Sequence, residues 1–148
     1  MGQGINAQGQ VVTFPDPTPD RRTAAAARSA ARRLVVYVSQ KANALRDSGI
    51  TVSGIPVSTD AKAIAYALGA KADAEANPSE TVPFVVSPTQ TVSLTSGQII
   101  AIAAAVTAFI KACFAAEAQA NAGLNASPPT ITTTAQVDVI FAGVKRAY

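Results

Sequence analysis

The sequence predicts an α+β fold, a small helical domain with two short β-hairpins, preceded by an extended N-terminal arm. Three observations lead there. Alanine-rich runs carry apolar residues at three- and four-residue spacing, which marks helices. Two short stretches rich in Val, Ile and Thr double back across turn residues, which marks hairpins. The first 20 residues combine Gly, Gln and Pro without a periodic apolar face. The division expected is residues 1–20 as a docking arm and 21–148 as a compact α+β domain, since 148 residues suit one ordinary domain.

Each element follows from local chemistry. In the arm, Gly2, Gly4 and Gly9 give freedom, while Pro15, Pro17 and Pro19 stiffen the stretch from Phe14 to Asp20. Val11, Val12 and Phe14 could form a short strand or an apolar anchor. A helix is expected over 20–48, with Asp20 as its N-cap. Leu34, Val38 and Leu45 fall at helical spacing, with Val35 and Ala42 beside them, and Ser48-Gly49 is a stop. Ile50-Thr51-Val52 and Ile55-Pro56-Val57 flank the two-residue turn Ser53-Gly54. Asp60 caps a helix over 61–76 with Ile64 and Leu68 on its apolar stripe, ended by Asn77-Pro78. Residues 82–86 and 91–94 read as a second pair of strands around the Ser87-Pro88-Thr89-Gln90 turn.

Thr95 and Gln98 have the spacing of a capping box. The longest helix, 96–122, is expected to follow. Ile99, Ile102, Val106, Phe109, Ile110, Cys113 and Phe114 mark its buried side. Gly123 and Asn125 end it, and Pro128-Pro129 breaks the chain. Thr133 and Gln136 repeat the capping-box spacing before a short last helix holding Val137, Ile140, Phe141 and Val144.

Composition narrows the function. Hydrophobic residues make up 49% of the chain, much of it alanine, and aromatics only 5%. Such a core is thin, and small thin cores often lean on partners, so a homo-oligomer is expected. There is no histidine and one cysteine, Cys113, so a Ser-His-Asp triad, a Cys-His pair and a histidine or cysteine-cluster zinc site are all excluded. Cys113 sits in an apolar run and reads as a buried free thiol acting as a small hydrophobe. The nine acids fall mostly at predicted helix ends and turns, where capping explains them. No phosphate-binding glycine loop precedes a helix. The expectation is a protein that is not an enzyme and carries no metal or cofactor.

Charge is uneven. Net charge is +3, and Arg21, Arg22, Arg28, Arg32, Arg33, Lys41 and Arg46 crowd one predicted helix. Aromatic interleaving is limited to Tyr37, so this helix is expected to face subunits or acidic neighbours rather than nucleic acid. The most apolar stretch, Ile99 to Ala116, is interrupted by Thr107 and Lys111 and is expected to be a buried helix, not a membrane span. No secretory signal pattern opens the sequence, so synthesis in the cytoplasm is expected.

From Leu45 onward the order of features is familiar. Gly54-Ile55-Pro56-Val57-Ser58-Thr59-Asp60 and the helix segment Cys113-Phe114-Ala115-Ala116-Glu117 are its most specific parts. Over roughly residues 28–145 the chain resembles a domain of unknown function common in tailed-phage and prophage proteins, often encoded near tail-fibre and baseplate genes. These residues are folding signals, and the family offers no catalytic residues to carry over. The resemblance implies a virion component of the tail, baseplate or fibre-attachment region, with other virion structural proteins as partners. A tail-fibre assembly chaperone and a capsid decoration or head-fibre protein are the alternatives. The expected partner-binding residues are Val11, Val12 and Phe14 in the arm, and Arg21, Arg22, Arg28 and Arg32 on the helix behind it.

Overall fold

Thr95 and Gln98 start the element around which the rest is arranged. The Thr95 hydroxyl accepts from the Gln98 N–H, and the Gln98 side chain accepts from the Thr95 N–H at 2.9 Å. This reciprocal cap satisfies two orphan donors of a helix end. The computed structural model describes residues 2–14, 19–87 and 89–148. Along it run β1 (Gly2–Ile5), β2 (Val11–Phe14), α1 (Pro19–Arg46), β3 (Ile50–Val52), β4 (Ile55–Val57), α2 (Ala61–Ala76), β5 (Thr81–Ser87), β6 (Gln90–Thr95), α3 (Ser96–Asn125) and α4 (Thr134–Ala142). The strands form three two-stranded antiparallel sheets, β1–β2, β3–β4 and β5–β6. The α+β class and both expected hairpins are therefore present.

α1, α2 and α4 all pack on α3. Its buried line runs Ile99, Ile102, Val106, Phe109, Cys113, Ala116 and Ala120, a three- and four-residue rhythm that keeps one face inward. Phe114 breaks the expectation. It is 55% exposed, because Cys113 already occupies the inward position and the next residue is turned about 100° away. Only the Arg46 guanidinium lies over its ring, 4.9 Å from the centroid. Leu68, expected on the apolar stripe of α2, is also more than half exposed, whereas Ile64 is partly buried.

The core is in two parts. One joins Ile50, Val52, Val57 and Leu94 from the hairpins to the first half of α3. The other sets Val38 and Ala42 of α1 against Ala116, Ala120, Val137 and Phe141. Leu45 and Val144 touch both. α3 is long and apolar enough to cross a membrane, but 44% of its most apolar window is buried inside the fold.

Three junctions hold the parts together. The Thr59 hydroxyl, buried, accepts from the Gly49 N–H at 3.0 Å and donates to the Arg46 carbonyl, closing the end of α1. Gly49 takes a φ of +75°, and a Cβ there would stand 3.0 Å from the Val57 carbonyl oxygen, so glycine is required. The turn Ser53-Gly54 has φ of +48° and +82°, the pair of positive values that a tight hairpin turn needs. Finally, Arg146 to Tyr148 lies parallel beside β3. Thr51 and Ser53 donate to the Arg146 and Tyr148 carbonyls, and the Tyr148 N–H returns to Thr51.

The N-terminal segment departs from a simple extended arm. Its strands pair with each other in register, Gly4 across from Val12 and Ile5 across from Val11, making a third hairpin. Asn6 holds the loop: its side-chain oxygen accepts from the N–H groups of Gln8 and Gln10. The proline-stiffened segment at 15–18, the side chain of Phe14 and Pro88 of the expected turn lie outside the described residues.

Candidate functional site

The buried residues of α1 lie in its second half. Leu34, Val38 and Ala42 are buried, whereas every residue from Asp20 to Arg33 is exposed. Fourteen residues at 1.5 Å each give about 20 Å of helix standing clear of the core. Alanines at 24–27, 30 and 31 favour helix along this exposed stretch, since alanine is the strongest helix former. Arg21, Arg22, Arg28 and Arg32 all lie on this exposed half, and Arg28 and Arg32, four apart, share a face. Arg33 reaches back to the Ser29 hydroxyl.

The hairpin β1–β2 precedes this helix. Val11 is 65% exposed and Val12 half-buried. Ile5, which the sequence reading passes over, pairs directly with Val11 and is 74% exposed. Neither apolar cluster of the core includes a residue of this hairpin. The structure thus brings Val11 together with Ile5, and places the expected arginines along the helix behind them. The signal for the hairpin was present in Asn6-Ala7-Gln8-Gly9, an asparagine able to close a turn followed by a glycine at φ +76°.

Polar ties fix the anchored half of α1. The Arg46 guanidinium pairs with Glu117 at 2.7 Å, with both side chains mostly covered. Asp138 on α4 accepts from the Tyr37 hydroxyl at 2.7 Å and pairs with Lys41 at 2.8 Å. The Lys41 and Tyr37 hydrogen bonds hold the Asp138 carboxyl below its ordinary 3.8. Such a group adds stability that is present above the unfolded-state value and is lost as pH falls through the lower folded-state value. The stability difference between the native chain and Asp138→Asn is therefore expected to be constant near neutrality and to shrink below about pH 3.8. Urea titrations across pH 2–6 check this; a difference that does not change with pH contradicts the role given to the carboxylate.

Two of the solvent-open concavities lie against the β3–β4 and β5–β6 hairpins. A polar hollow of about 560 Å³ lies between the end of α1, the β3–β4 hairpin and the tail at Arg146. Two of its hydroxyls are engaged, Ser48 donating to the Leu45 carbonyl and Ser58 to Asp60, and the Arg146 guanidinium donates to the Ser48 carbonyl. The Asp60 carboxyl is held below its ordinary range by the Ala63 N–H and by Ser58, as befits a cap rather than a base. Nothing here assembles a nucleophile with an activating group. The second concavity is an apolar groove of about 350 Å³ between α2, the β5–β6 hairpin and α3. Tyr66, Ala67, Val82, Phe84, Leu94 and Ile102 are among its walls.

Cys113 is fully buried, and burial pushes its thiol up despite the nearby Arg46 cation, so it is an inert packing residue. Among the described residues, no group of three or more histidine, cysteine, aspartate or glutamate side chains converges in a way that could hold a metal ion.

With this geometry in place, residues 21–141 match the family model described as a domain of unknown function, DUF4376. The chain belongs to this family. The match starts at the basic helix and leaves the β1–β2 hairpin outside the family domain. No curated protein and no solved structure matches the chain.

Proposed function

We propose that this DUF4376 chain is a non-enzymatic structural component of a tailed-phage virion, in the tail, baseplate or fibre-attachment region. It docks on neighbouring virion proteins through its N-terminal segment. The observation that carries the docking role is the hairpin itself. It exposes Ile5 and Val11 as an apolar pair, contributes none of its described side chains to either core cluster, and precedes the family domain and its exposed basic helix in sequence. An isolated two-stranded hairpin is marginal in water, so a partner surface is what would stabilise it. The virion context rests on the sequence resemblance over residues 28–145.

In this reading the apolar pair, with Val12 and Phe14, supplies contact area, and Arg21, Arg22, Arg28 and Arg32 meet acidic neighbours. Short apolar anchors on extended backbone suit strand addition or groove binding. Many weak copies in a symmetric array bind firmly through avidity. The protein is made in the bacterial cytoplasm and resides in the particle. The test is a phage carrying the chain without residues 1–18. The truncated protein is expected to fold yet to be missing from purified particles; incorporation at the normal level overturns the docking role.

A further inference from the structure

Among the described residues, nothing fills the apolar groove between α2, α3 and the β5–β6 hairpin, and its walls are open. Tyr66 on one wall is 67% exposed and Val85 on the other 68%. We propose that this groove receives the β1–β2 hairpin of a second copy of the chain. The proposal rests on the reading of the hairpin as a docking element and names its partner.

Three features select that occupant. First, the surfaces match in polarity. Residues 2–14 contain no charged side chain, so entering an apolar groove strips no ion of its water. The exposed Ile5–Val11 pair offers β-branched side chains to a groove walled by Tyr66, Phe84 and Leu94.

Second, the charges flanking the two surfaces are opposite. Behind the hairpin, α1 carries seven basic residues against one acid, Asp20. From residue 47 onward the balance reverses, with seven acids against five basic residues. Two of those acids stand at one end of the groove. Asp73 continues the helical line of Tyr66 and Ala70 by one further turn, and Glu80 immediately precedes β5. Both are exposed. Asp73 accepts a hydrogen bond from the neutral side chain of Asn77. An uncharged hairpin with an exposed apolar pair, followed by arginines, therefore meets an apolar groove flanked by carboxylates. Lys62, over the Tyr66 ring at 5.7 Å, marks the other end and fixes the direction of entry.

Third, the exposed half of α1, Asp20 to Arg33, puts about 20 Å of helix between the core and the chain that leads back to the hairpin. No residue of the hairpin enters the cluster that includes the groove's Leu94, Ile99 and Ile102. The match is therefore made between chains. Because hairpin and groove are different surfaces, the contact is head-to-tail, and repetition yields a ring if the rotation closes or a filament if it does not.

Disulfide trapping tests the proposal on the full chain. One population carries Val11→Cys and a second, isotope-labelled population carries Ala67→Cys; native Cys113 is buried and stays reduced. After mixing under a mild oxidant, mass spectrometry is expected to find cross-links between Cys at 11 and Cys at 67 of different populations, in clear excess over links within either one. Asp73→Lys combined with Glu80→Lys on the groove chain is expected to lower that yield about tenfold, the loss of two attractive charge contacts. The proposal is overturned if mixed links do not exceed same-population links, or if the chain remains monomeric in sedimentation at all concentrations. Should trapping fail while chains lacking residues 1–18 still fail to enter particles, self-docking is refuted and the docking role of the hairpin survives with another virion protein as its partner.

Discussion

Phe109→Ala is expected to destabilise the fold by about 4 kcal/mol, the largest effect of any single truncation in this chain. Phe109 is the largest fully buried side chain, at 0% exposure, and it belongs to the cluster that joins α3 to the hairpins. Removing its ring forfeits transfer free energy and leaves a cavity that neighbours fixed on three elements cannot collapse into. The rest of the core is rich in alanine, so little other apolar area compensates. Against a typical domain stability of roughly 5–15 kcal/mol, such a loss removes a large share of the total. Urea denaturation followed by far-UV circular dichroism reads it as a lowered midpoint with an unchanged slope. A loss under about 1 kcal/mol would show that the α3–hairpin cluster is not the centre of the core.

Thr59→Val comes next, with an expected cost of about 2–3 kcal/mol. The substitution keeps the shape and removes the hydroxyl that joins the Gly49 N–H to the Arg46 carbonyl. Thr59 is 1% exposed, so water does not readily replace it. Two backbone groups at the end of α1 then lose their partner in a covered site, and it is this loss rather than the weakness of one hydrogen bond that sets the magnitude. Thr59→Ser keeps the hydroxyl and is expected to recover most of the difference. If serine and valine destabilise equally, packing of the methyl group rather than the bridge is what matters.

Those two residues illustrate how far a sequence can be read. Phe109 stands in a periodic apolar run, and its burial follows from spacing alone. The capping boxes at Thr95–Gln98 and Thr133–Gln136, the cap at Asp60 and the turn at Ser53-Gly54 were equally legible, because each is a local arrangement of side chain and backbone. Thr59 was visible only as part of a segment shared with a family. Its partners, Arg46 and Gly49, are thirteen and ten residues away and meet it only after the β3–β4 hairpin has turned the chain back. The strand at Arg146 to Tyr148 was not legible for the same reason, since its partner Thr51 is nearly a hundred residues earlier.

Phe114 and Leu68 show the opposite failure. Both fit an apolar stripe within the tolerance of a helical wheel, but one residue of rotation decides exposure, and only the packed neighbour, Cys113 in the first case, settles it. The site was legible in part. The crowding of arginines on α1 is a property of the sequence, and so is the apolar character of Val11. Ile5 becomes its companion only through the hairpin register. The apolar groove draws on β4, α2, β5, β6 and α3 together, so no local pattern encodes it.

The surfaces left over after the core is built, a hairpin with an exposed apolar pair, an exposed basic helix and an open groove, are proposed as docking surfaces of a virion part. Mass spectrometry of purified, nuclease-treated virions tests that claim most directly. A structural component is expected as an intact chain at a fixed stoichiometry to the tail proteins, retained through density-gradient purification. Its absence from mature particles, with the chain found instead bound to unassembled fibre protein in infected-cell lysates, would contradict the structural reading and identify an assembly chaperone.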